Sequence, residues 1–210
     1  MPFFSRKKLP TQQPGPICTW SAHALQPGSS PSPFPRDSHT LTTTATAAGK
    51  LFLFGGYVYG STSNDLYVFS TRDFTATLLQ TSGDVPTPRQ AHGAALIDTT
   101  LLIHGGSNTD SSDQNALNYD SLCLLNIGML DFLMSNPTPA DDTLYAPESR
   151  EWTRIVTNGL APSSRVYHTT AVIGSKLFVF GGQIGGDCYN DIWTLDLNRR
   201  TFIYCCSELF

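Results

Sequence analysis

Residues 176–182 read Lys-Leu-Phe-Val-Phe-Gly-Gly, and two close relatives of that stretch stand upstream. Residues 50–56 read Lys-Leu-Phe-Leu-Phe-Gly-Gly, and residues 100–106 read Thr-Leu-Leu-Ile-His-Gly-Gly. A continuous apolar run with no polar alternation is the pattern of a strand buried on both faces. A glycine pair after such a run suits a turn with positive φ and close backbone approach, where a Cβ would clash. Three copies in one chain point to a repeating unit.

Alignment on Gly55-Gly56, Gly105-Gly106 and Gly181-Gly182 brings further features into register. Upstream of each pair lies Arg-x-x-His: Arg36 to His39, Arg89 to His92 and Arg165 to His168, each with a proline within three residues before the arginine. The step from His to the first glycine is 13 residues in the second and third copies (92 to 105, 168 to 181) and 16 in the first (39 to 55). Downstream of each pair come a polar loop and an apolar run led by an acid, at Asp65–Phe69, Asp120–Leu124 and Asp191–Leu195. A fourth segment is clearest at Glu151–Ile155. Four short strands per unit are predicted.

This ordered set resembles the kelch repeat, over roughly residues 20–205. The resemblance implies an all-β fold, an incomplete kelch-type β-propeller of three four-stranded blades at 36–81, 89–157 and 165–206. Each sheet of a propeller packs face to face between its neighbours, so inner strands are buried on both sides. His39, His92 and His168, the six paired glycines, and Trp152 and Trp193 are expected to be structural, the tryptophans as wedges between adjacent sheets. Asp65, Asp120 and Asp191 recur in register and are read as caps of the loop before the third strand.

Three irregularities stand out. The glycine pairs are 50 residues apart between copies one and two (55 to 105) but 76 apart between two and three (105 to 181). The excess falls at 129–148, which is either an exposed excursion between outer strands or foreign sequence such as an intron translated in frame. At the beginning, Trp20 to Leu25, followed by Gly28 and Arg36, parallels Trp152 to Ile155, Gly159 and Arg165. It reads as an orphan fourth strand of the kind that completes a propeller's last blade. Finally, closed propellers need about four to eight blades, so three predict a fragment or truncated product. Its open end blades would invite self-association.

Composition narrows the function. Charged residues are only 14% of the chain and the formal net charge is -4, which offers no broad cationic face for nucleic acid. Arg6-Lys7-Lys8 belongs to an expected disordered, basic and proline-containing tail over 1–17, which lacks the apolar core of a signal peptide. No run approaches the ~18 apolar residues of a membrane span. Five cysteines without a CxxC pair argue against a disulfide framework or zinc site and favour a reducing, cytoplasmic compartment.

Catalytic signatures are lacking: there is no Gly-x-Ser-x-Gly and no phosphate loop, and the glycines of 181–186 precede no helix pattern. A galactose-oxidase-like copper enzyme is the alternative within the resemblance. It would need two His, two Tyr and a Cys on one face. The repeated histidines suit blade support better, His104 reads as a hydrogen-bonded core residue, and no His-x-His spacing occurs. No cofactor is therefore expected. Arg36, Arg89 and Arg165 are read as structural donors to loop carbonyls, with a ring of guanidiniums for an acidic partner peptide as the other reading. The loops after the glycine pairs differ in every copy, and Tyr57, Tyr59, Asn108, Gln183 and Tyr189 on them are candidate partner contacts. The expected function is a non-catalytic protein-interaction scaffold, by resemblance in cytoskeletal, cell-polarity or signalling assemblies.

Overall fold

The computed structural model describes residues 24–26, 31–42, 49–108, 122–127, 150–157 and 159–206. Those residues form strands, turns and bends and no helix. Blade one is a four-stranded antiparallel sheet in the order β1 (Thr40–Leu41), β2 (Lys50–Val58), β3 (Ser61–Ser70), β4 (Ala76–Leu79). Blade three repeats it with β10 (Thr169–Ile173), β11 (Lys176–Ile184), β12 (Asp187–Asp196) and β13 (Thr201–Cys206). Blade two holds β6 (Gly93–Ile97), β7 (Thr100–His104), β8 (Leu122–Asn126) and β9 (Glu151–Ile155). It also gains a fifth strand that the sequence pattern did not reveal. β5 (Ser82–Gly83), on the way from blade one to blade two, pairs parallel with β9 at the outer edge.

The blades stack as the apolar runs predict. Alternate residues of each inner strand point to opposite neighbours. From blade one, Phe52 and Phe54 enter the same core as Leu101, Ile103 and Trp152 of blade two. The indole of Trp152 lies 5.5 Å from the Phe54 ring and its Nε1–H donates to Thr81 at 3.1 Å. The Trp152 side chain sits between the two sheets, and burying such an aromatic is worth about 1.5–3 kcal/mol. A second core joins Leu102 and Leu122 of blade two to Leu177, Val179, Leu195 and Phe202 of blade three, with Trp193 packed against it.

One local expectation is corrected. The glycine pair does not end the second strand. β2 and β11 run through it with a register shift at Phe54/Gly56 and Phe180/Gly182, then fold back in tight hairpins. Their turns, Tyr59-Gly60 and Gly185-Gly186, have positive φ at both central positions. That is the type I′ geometry whose twist matches flanking strands. Hydrophobic runs mark the strand but carry no signal for this bulged continuation.

The tail 1–17, Asp120, His23 and the 129–148 excess lie outside the described residues. Of the orphan strand only Ala24 and Leu25 are described, and they are not in a strand. Leu25 packs against Leu53, Tyr67 and Ala76 on the outward face of blade one. Gln26, next in the chain, donates its N–H to the Phe74 carbonyl at 3.0 Å.

Candidate functional site

The Arg-x-x-His segments lie beside the hairpins on one rim of the blades. The residue after each arginine forms a bridge with the residue after each glycine pair: Asp37 with Tyr57, Gln90 with Ser107, Val166 with Gln183. The next residue is left-handed in all three copies, with φ of 52° at Ser38, 53° at Ala91 and 57° at Tyr167. That conformation is uncommon outside glycine, and here it aims main-chain groups from blade to blade. Ala91 N–H donates to the Ser38 carbonyl, and Tyr167 N–H to the Ala91 carbonyl, each at 3.0 Å.

The first two glycine pairs each pack against the next blade and against their own. A Cβ on Gly55 would lie 2.7 Å from the Arg89 carbonyl oxygen and 2.9 Å from the His92 ring, both on the next blade. One on Gly56 would meet Asp37 O at 2.5 Å and His39 Cβ at 2.7 Å, on its own blade. Gly105 and Gly106 repeat this against Arg165 with His168, and against Gln90 with His92. Gly56 and Gly106 also donate their N–H groups to the Arg89 and Arg165 carbonyls, at 2.9 and 3.0 Å.

Two of the repeated histidines, His92 and His168, occupy these seams. His92 Nε2 is 2.7 Å from Thr40 Oγ1 across the first seam. Gly93 stands where Thr40 does in blade one, so His168 Nε2 meets His104 Nδ1 instead, at 3.3 Å across the second. Burial, reinforced by nearby arginines, pushes His92 and His104 down to about 3 and His168 to about 4. All three are neutral spacers at neutral pH. Among the described residues no three His, Cys, Asp or Glu side chains gather as a metal site.

The arginines are internal, which corrects their reading as contacts for an acidic peptide. Arg89 and Arg165 are 0% and 1% exposed, and the Arg36 side chain is 2% exposed. Each donates from Nη1 to the carbonyl of its own first glycine, Gly55, Gly105 or Gly181, at 2.8–3.0 Å. Arg165 also forks onto Asp191 at 2.6 and 3.1 Å, and Arg36 reaches Asp65 at 3.1 Å. Burial alone would raise the Asp191 carboxyl, but the hydrogen bonds from Arg165 and Trp193 hold it below the usual range. Asp65 and Asp191 therefore sit inside β3 and β12 as arginine partners, not as loop caps.

The candidate contacts divide. Tyr59 stands at a hairpin tip, 85% exposed, and Tyr189 is exposed with the Arg165 guanidinium 5.4 Å from its ring centre. Tyr57 and Gln183 belong to paired strand ends and are half-buried, and Asn108 accepts a bond from Thr62 at 2.6 Å. Tyr167 was missed. It is 68% exposed, and the available signal was an aromatic in an Arg-x-x-His slot filled elsewhere by Ser38 and Ala91.

Comparison with known proteins adds an independent line. The family model described as the KLHDC2/KLHL20/DRC7 Kelch-repeats domain matches residues 16–132 and 140–205. Its break falls within the 129–148 excess. The chain is 29% identical over 195 residues to Tip elongation aberrant protein 1 of Schizosaccharomyces pombe, covering 92% of this chain and 15% of that protein. It is 34% identical over 138 residues to the Rho GTPase-activating protein gacHH of Dictyostelium discoideum, covering 64% of this chain and 8% of that protein. Host cell factor 2 of Homo sapiens matches at 24% over 186 residues, covering 80% of this chain and 22% of that protein. The chain thus spans less than a quarter of these relatives' length.

Proposed function

This chain belongs to the kelch-repeat family, and from that premise we propose that it is a non-catalytic scaffold for protein–protein interaction. One observation carries the reading. A rim whose backbone is fixed from blade to blade presents two tyrosines, Tyr59 and Tyr167, that are 85% and 68% exposed. Exposed aromatics on an ordered frame bury large area at little entropic cost, which suits a protein partner. Arg36 and Arg165 are meanwhile committed to internal ion pairs, and His92 and His168 to the seams.

The finer placement, in cytoskeletal, cell-polarity or signalling assemblies, draws on relatives named for tip elongation and for Rho GTPase activation. A cytoplasmic location is supported by free thiols at Cys123, Cys188 and Cys205, the last two exposed. The test is selection of binders from a displayed random-peptide library against the whole chain. Selected peptides are expected to lose binding tenfold or more, about 1.4 kcal/mol, when Tyr59 and Tyr167 are both changed to Ala. Binding indifferent to both tyrosines would move the site off this rim. Bound copper, or turnover of an alcohol or sugar, would favour the oxidase reading instead.

A further inference from the structure

The rim that carries Tyr59 and Tyr167 shows solvent charge of one sign among the described residues. Two carboxylates are exposed there, Asp37 and Asp187. Asp37 is bridged to Tyr57 at the base of the blade-one hairpin, and Asp187 opens β12 opposite Ile184 in the blade-three hairpin. The rim's cations point the other way. Arg36, Arg89 and Arg165 donate inward to glycine carbonyls, and Arg36 and Arg165 hold Asp65 and Asp191 as their counter-charges. Exposed cations sit elsewhere: Arg72 in the β3–β4 turn, Lys176 at the start of β11, Arg199 and Arg200 in the β12–β13 turn, and Arg154 on the outer strand β9. The first four belong to the opposite strand ends. Sealing the arginines therefore leaves this rim acidic and aromatic.

A tyrosine ring beside a carboxylate complements one kind of group, a cation on an apolar stem. The ring face attracts the charge and the carboxylate accepts its N–H groups. The chain uses this pairing internally twice. The Arg165 guanidinium is bound by Asp191 and lies 5.4 Å from the Tyr189 ring centre, and Arg36 is bound by Asp65 and lies 5.3 Å from that of Tyr67. The same two residue types recur facing solvent, Asp37 with Tyr59 on blade one and Asp187 with Tyr167 on blade three. In each blade they stand on the hairpin or on the segment bridged to it. The main-chain line from Ser38 through Ala91 to Tyr167 holds the two sets in a fixed relation.

We infer that this rim receives an extended segment of a protein partner bearing two basic side chains, arginine or lysine, one for each acid–tyrosine set. Such a partner is a narrower case of the scaffold reading, on which this rests. Its charge is opposite to the one that exposed arginines would have selected. The chain's net charge of -4 also steers a basic segment toward it.

Peptides selected from a displayed random library on the whole chain test this by their charge. Those that need Tyr59 and Tyr167 are expected to carry at least two arginines or lysines. Their affinity, read by fluorescence anisotropy, should fall as salt rises from about 0.05 to about 0.5 M. Asp37→Asn with Asp187→Asn should weaken them about fivefold or more, through loss of two exposed ion pairs. Asp98→Asn with Asp196→Asn, the same change of net charge at the opposite strand ends, should leave binding unchanged. Citrulline in place of each peptide arginine keeps the shape and removes the charge, so the pairing is tested even if the double variant misfolds. Tyrosine-dependent peptides that are neutral or acidic, or basic ones indifferent to the rim variant or to citrulline, overturn the basic partner and leave the scaffold reading standing. A selection that yields no tyrosine-dependent peptide removes both.

Discussion

Lys50–Gly56 and Lys176–Gly182 differ at one residue, Leu53 against Val179, yet live in different surroundings. Phe54 is 1% exposed, with the His92 and Trp152 rings 5.4 and 5.5 Å away, while Phe180 is 51% exposed. Their strands, bulges and arginine bonds match. The difference lies in what stands on the far side. A blade's own hydrogen bonds shape the strand, but a neighbouring blade supplies its burial, so an inner-strand residue's energetic weight is a property of the seam.

The largest expected effect breaks that comparison directly. Phe54→Ala should cost about 3–5 kcal/mol, the transfer loss plus a cavity the aromatic cluster cannot fill. Phe180→Ala should cost under about 1 kcal/mol in dilute solution, where little burial is lost. Urea unfolding of both variants measures the gap. Equal costs would mean that the two runs are equivalently packed.

The glycines sharpen it next. Alanine at Gly105 or Gly181 pays about 1–3 kcal/mol for left-handed backbone. At Gly105 it also drives a methyl to 2.6 Å from the Arg165 carbonyl and 2.7 Å from the His168 ring, whereas at Gly181 the methyl meets one group, the Tyr189 carbonyl, at 2.9 Å. That adds about 1–3 kcal/mol of overpacking, so Gly105→Ala should melt below Gly181→Ala in a thermal scan.

The seam histidines predict a pH dependence. Their folded-state pKa values, about 3 for His92 and His104 and about 4 for His168, lie below the ordinary 6.5. The unfolded chain therefore binds protons that the folded one refuses, and stability is fullest above pH 6.5 and declines as pH falls toward 4. Urea midpoints should drop across that window, ahead of carboxylate titration. His104→Phe, which installs the residue found at the same position in blades one and three, should make the decline shallower. An unchanged slope would place the proton uptake elsewhere. Smallest of all, Tyr59→Ala or Tyr167→Ala should shift stability by no more than about 0.5 kcal/mol, since exposed rim residues cover no core.

The blades were legible because a doubly buried strand, a required positive φ and a seam histidine each restrict residue type wherever they occur. The roles of Arg36, Arg89 and Arg165 were only half legible. Their periodicity announced structure, but a surface guanidinium and a buried one look the same in letters. Asp65 and Asp191 misled similarly, since an acid before an apolar run caps a loop as readily as it pairs inside a strand.

By itself, then, the amino-acid order determined the unit: four strands, their sequence, and the glycine pair that lets blades approach. Those are local constraints of sterics and hydrophobic pattern, and each copy restates them. Tertiary structure alone decided which face of a blade is covered, where β5 pairs, and that Tyr167 points outward while Arg165 two residues earlier is sealed in. Burial and partner choice depend on residues far apart in the chain, and the free energy of a polar or aromatic side chain is fixed by what packs against it.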